Sequence, residues 1–98
     1  MITPIHPGEI LKEEFMIPFG LSANKLAELI GVPTNRVTSI INGKRAITAD
    51  TALRLSAAFD TTPEFWMNLQ DHFDLSIAKQ IKRPKIKAVE VPREMAMA

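Results

Sequence analysis

The chain has 98 residues, no cysteine, and 12 Lys and Arg against 11 Asp and Glu, a net charge of +1. One domain with a modest core fits this length. The absence of cysteine excludes a disulfide framework, a thiolate nucleophile and a cysteine zinc site, and two histidines alone do not supply a typical metal centre. No apolar run is long enough to span a bilayer and no secretory signal pattern opens the chain, so a cytoplasmic, reducing setting is expected.

In chain order, Pro7 and Gly8 precede Glu9-Ile10-Leu11-Lys12-Glu13-Glu14-Phe15, a helix start with early acids that Pro18 and Gly20 then end. Ser22 is the N-cap of a second helix, whose buried face is Leu26, Leu29 and Ile30 and whose stop is Gly31. A third helix runs from about Pro33 to Asn42 with Val37, Ile40 and Ile41 inward, and Gly43 terminates it. Thr48 caps a fourth, with Asp50 in its first turn and Leu53, Leu55, Ala58 and Phe59 as apolar surface. Thr62-Pro63-Glu64 opens a fifth and longest helix carrying Phe65, Trp66, Leu69, Phe73, Leu75 and Ile77, extending to about Ile81. Pro84 breaks what precedes it, and the rest reads as a mobile tail. No segment reads as strand-rich. The expected fold is therefore all-α: five compact helices over residues 1–82, followed by a tail at 83–98.

Charge is unevenly placed along these elements. Residues 1–21 carry −2, residues 22–54 carry +3, residues 55–78 carry −4 and residues 79–98 carry +4. The near-neutral total hides two basic segments, so it does not exclude a nucleic-acid partner.

The functional signal lies at 23–42. Counted from Ala23 as the first position of a twenty-residue frame, Ala27 stands where two helices cross and only a small side chain permits close approach. Gly31 stands in the turn, where a positive φ is needed, and Val37 and Ile40 turn inward to lock the second helix of the pair. This spacing is that of a helix-turn-helix. It leaves Thr34, Asn35, Arg36, Thr38, Ser39 and Asn42 outward, none of them acidic. Hydroxyls and carboxamides there offer hydrogen bonds to base edges and Arg36 offers a fork for guanine. Lys44 and Arg45 are placed for phosphates, and Ser22 and Asn24 lie at a helix N-terminus that favours anions.

Other features have plainer readings. His6 lies near Glu9 and Glu13, three potential metal ligands, but its place before Pro7-Gly8 makes it a residue of the helix cap. His72, beside Asp71 and Asp74, lacks any nucleophile arranged with it and reads as a surface histidine. No phosphate loop or paired-carboxylate site is present, so neither an enzyme nor a cofactor or metal is expected. Phe65, Trp66, Leu69 and Phe73 are read as core or dimer packing, and the dimer interface is favoured, since a small helix-turn-helix chain needs two recognition helices to read half-sites about 34 Å apart. A protein-interaction module that never touches DNA is the alternative from another functional class.

Three blocks, His6-Pro7-Gly8-Glu9, Asn42-Gly43-Lys44-Arg45 with Ile47-Thr48-Ala49-Asp50-Thr51-Ala52, and Pro63-Glu64-Phe65-Trp66-Met67-Asn68-Leu69-Gln70, resemble the HigA/VapI antitoxins, a branch of the Xre/Cro-like helix-turn-helix proteins. The likeness spans about residues 4–80. It implies a homodimer that binds an inverted repeat in its own operator, and a HigB-like, mRNA-cleaving toxin as protein partner. It also implies that residues Thr34 to Ser39 read bases. Pro33 departs from the pattern, standing where many members carry a Ser cap. A stand-alone regulator of the same family without a toxin remains the alternative within this class.

Overall fold

A computed structural model describes residues 3–90, and the expected positions 91–98 of the tail lie outside the described residues. Five helical elements follow one another: α1 (Pro7–Ile10, continuing as a π-helical stretch Leu11–Met16), α2 (Ala23–Ile30), α3 (Thr34–Ile41), α4 (Ala49–Phe59) and α5 (Pro63–Gln80). The described residues contain no strand. The widened stretch departs from the simple helix expected there. The N–H of Ile17 reaches the carbonyl of Lys12, five residues back, and past Gly20 at φ 66° the N–H of Leu21 closes the end on Met16. The stretch ends against Pro18, which has no N–H to give and crowds the preceding carbonyls.

Side-chain caps fix where the helices begin. The Ser22 hydroxyl accepts from Lys25 N–H, Thr48 from Thr51 and Thr62 from Phe65, as their positions in the sequence require. Pro33 precedes α3 in an extended conformation and provides no side-chain cap.

The core is built from Leu11, Met16, Leu26, Ala27, Ile30, Val37, Ile40, Ile47, Ala52, Leu55 and Trp66, all nearly inaccessible. Around Trp66 an aromatic cluster closes the α1–α5 side: Phe15 lies 4.9 Å from the indole and 5.0 Å from Phe59, and Phe65 packs edge-on to the indole at 5.0 Å. The buried indole N–H donates to Thr61 Oγ1 at 2.8 Å, which removes the cost of an orphaned donor.

Three residues expected on buried or apolar helix faces are corrected. Leu29 and Leu53 are exposed, at 57% and 59%, and Ala58 is exposed as well. On α4 the inward stripe is Thr51, Ala52, Leu55 and Ser56, two of them polar, with Ser56 Oγ donating to the Leu53 carbonyl. Trp66 is likewise corrected: it is fully buried within its own chain, so it has no surface to offer a dimer partner. Beyond Gln80, residues 81–90 form no regular element and lie exposed, Ile86 and Val89 among them.

Candidate nucleic-acid interface

The α2–α3 pair is set by three small or branched side chains and one backbone angle. Ala27, Val37 and Ile40 are all buried at the crossing. Gly31 takes φ 72°, which turns the following N–H, that of Val32, back to the Ala27 carbonyl at 3.0 Å and swings the chain into α3. The frame read from the sequence is thus realised position by position.

The rest of the molecule then holds α3 from two sides. Gly8 of α1 lies against the last turn of α3 so closely that an added Cβ would stand 1.8 Å from the Ile40 carbonyl oxygen. His6 is the cap of α1, its Nδ1 accepting from Gly8 N–H at 2.9 Å while its ring meets Phe73 edge-on at 4.8 Å. Burial holds the His6 imidazole below its usual pKa, against an opposing pull from Asp74. This is the cap role, and among the described residues no cluster of three or more His, Asp or Glu suits a metal ion.

The turn that carries the basic pair is anchored from α5. Gln70 is buried, and its Oε1 accepts from the buried Ile47 N–H at 2.8 Å while its Nε2 donates to Asp74 at 2.9 Å. Lys44 and Arg45 therefore project from a loop whose far end is pinned to the core, and both are exposed.

The predicted contact residues fall into distinct environments. Asn35 and Asn42 on or beside α3, and Ser22 and Asn24 at the start of α2, are exposed. Thr34, Arg36, Thr38 and Ser39 are half-buried. Thr38 Oγ1 donates to the Asn35 carbonyl at 3.2 Å, so its proton is already engaged within the helix. Ser22 spends its oxygen on the Lys25 N–H.

Arg36 is not free, as the sequence frame assumed. Its Nη1 donates to Asp50 Oδ2 at 3.0 Å, and Arg54 Nε donates to the same oxygen at 3.0 Å. Arg54 also reaches the end of α2, with Nη1 at 2.7 Å from the Ile30 carbonyl and 3.3 Å from that of Gly31. Hydrogen bonding from Arg54 foremost, with Arg36 adding to it, holds the Asp50 carboxyl below its usual pKa. Sequence inspection placed Asp50 only at a helix start and Gln70 only within a family block; neither pairing is visible in local spacing. No helix of the described residues is long and apolar enough to cross a membrane.

Residues 11–66 match the sequence profile of a helix-turn-helix family. Virulence-associated protein I of Dichelobacter nodosus is 48% identical over 79 residues, covering 81% of this chain and 73% of that protein. An addiction-module antidote protein of the HigA family from Coxiella burnetii superposes with a TM-score of 0.77 at 59% identity, over 81% of this chain and 86% of that one. The Pseudomonas aeruginosa antitoxin HigA, solved with the higBA promoter, superposes with a TM-score of 0.77 at 45% identity, over 79% and 84%.

Proposed function

The chain belongs to the HigA/VapI branch of the helix-turn-helix family, and on that premise we propose that it is an antitoxin and autorepressor that binds operator DNA as a dimer. The observation that carries the reading is the α2–turn–α3 geometry, presented with an anchored basic turn by a chain whose relative HigA was solved with its promoter. In this reading α3 enters the major groove. Asn35, Ser39, Arg36 and Thr34 face base edges, with Thr38 beside them, and Asn42, Lys44 and Arg45 follow the phosphates. Ser22 and Asn24 approach the neighbouring backbone strand at the N-terminus of α2.

Pairing of two chains is assigned to α5. Phe65 and Ile77 are left 37% and 40% exposed on that helix, and Leu69 and Phe73 lie half-buried between them at four-residue spacing on the same face. A second copy covering these side chains would present two α3 helices to an inverted repeat. The toxin partner rests on kinship with antitoxins, and the helical body at residues 1–82 is proposed as the DNA-binding unit.

Fluorescence anisotropy with the chain's own promoter and a scrambled duplex tests the DNA reading. The promoter should bind at least about a thousandfold tighter at physiological salt. Lys44→Ala and Arg45→Ala should weaken both duplexes alike and lower the log–log salt slope by about one each. Absence of promoter binding even at low salt would overturn the proposal. Co-expression with the product of the adjacent reading frame, followed by pull-down, tests the toxin: no capture leaves a regulator without one.

A further inference from the structure

Arg54 joins parts of the molecule that lie far apart in sequence. One nitrogen holds the carbonyls that end α2, a second holds Asp50 at the start of α4, and Asp50 in turn holds Arg36 in the first turn of α3. The arm Gly31–Arg54–Asp50–Arg36 therefore runs from the turn of the helix-turn-helix back to the helix proposed to read bases. It is a fixed arm. Arg54 is bonded at both edges of its guanidinium, and the Asp50 carboxylate lies in the first turn of α4, where the helix dipole favours a negative charge.

Two physical consequences follow for Arg36. A guanidinium has five donors in a planar fork, and reading guanine takes two of them side by side. Only Nη1 is engaged with Asp50, so a second edge remains for a base. Because the side chain is already held and only 25% exposed, the correct base does not bear the cost of ordering it. The second consequence concerns the wrong DNA. A loose arginine at a groove-facing helix pairs with any phosphate it reaches, and that attraction carries no sequence information. Asp50 takes up part of this charge and keeps the fork from wandering.

We propose that Asp50 is a specificity-determining positioning residue, which raises the ratio of operator to non-specific binding by holding Arg36 in one pose and offsetting its charge. The inference rests on the DNA-binding reading above, and the experiment separates the two. Dissociation constants for the promoter and a scrambled duplex are measured across a salt series for the wild type, Asp50→Asn, Arg36→Ala and the double variant, with thermal melts run alongside. Asp50→Asn should bind scrambled DNA several-fold more tightly, with a salt slope steeper by about one charge. The promoter-to-scrambled ratio should fall about tenfold, the discrimination of one good base contact. In the Arg36→Ala background the same substitution should leave the ratio unchanged, because its target is gone. Asp50→Glu keeps the charge but moves the carboxylate, so the ratio should fall while the slope stays at the wild-type value. An intact ratio in Asp50→Asn, or an equal fall with and without Arg36, would overturn the assignment. A wild type that does not prefer its promoter would overturn the DNA-binding reading first, and this inference with it.

Discussion

Replacing Gln70 with methionine keeps the volume and removes one acceptor. In the native chain its Oε1 lies 2.8 Å from the Ile47 N–H, and both residues are buried, at 4% and 1% exposure. Methionine fills the same space, so packing changes little, and water does not reach the orphaned N–H. The cost is that of an unsatisfied buried donor, about 1–3 kcal/mol. The second bond, from Gln70 Nε2 to Asp74, is also lost, but the Asp74 carboxylate is exposed and regains water. For a domain of this size each kcal/mol lowers the midpoint by roughly 4–8 °C. The expected fall thus runs from about 4 °C to more than about 20 °C in a thermal melt followed by far-ultraviolet circular dichroism. Promoter affinity should fall at temperatures where the variant is still folded, since the turn bearing Lys44 and Arg45 loses its anchor. A melt within about 2 °C of wild type would refute the reasoning, because the N–H would then have to find another partner.

Gly8→Ala should be strongly destabilising, because the new methyl meets the Ile40 backbone carbonyl rather than a flexible side chain. An overpacking cost of about 1–3 kcal/mol or more is expected in a urea melt. Thr61→Ala strands the Trp66 N–H and should cost about 1–3 kcal/mol in the same assay, whereas Thr61→Ser retains the hydroxyl and most of the stability. His6 has its pKa lowered in the folded state, so the unfolded chain takes up the proton first as pH falls. Its contribution is therefore absent well above pH 6.5 and destabilises the fold progressively below it. His6→Asn, which keeps a cap acceptor but does not titrate, should flatten urea-midpoint stability between about pH 7 and 5 relative to wild type.

Elements whose signals are local were legible in the sequence. Ser22, Thr48 and Thr62 each bond the N–H three residues ahead, so a cap can be recognised within four letters. Ala27, Gly31, Val37 and Ile40 were legible because one helical crossing imposes all four at once. What escaped is non-local. Arg36 and Asp50 are 14 positions apart and Gln70 and Ile47 are 23 apart, and no periodicity connects either pair. The buried face of α4 was misassigned for a related reason. Hydrophobicity favoured Leu53 and Ala58, whereas the packing angle against α5 turned Thr51 and Ser56 inward, each with a hydrogen bond available to it. The dimer expectation for Trp66 failed similarly, since a large aromatic suits a core and an interface equally well and only the tertiary arrangement decides.

The burial of Trp66 has a practical side. The chain holds one tryptophan and no tyrosine, so its near-ultraviolet emission comes from a single indole. That indole is wholly enclosed, hydrogen-bonded to Thr61 and ringed by phenylalanines. It serves as a built-in optical gauge of whether α5 is docked on the body. A shift of its emission to longer wavelength marks undocking of that helix, while events confined to the outer face of α3 leave the colour unchanged. Folding and DNA binding can thus be followed in one cuvette through separate signals, with no label placed on the protein.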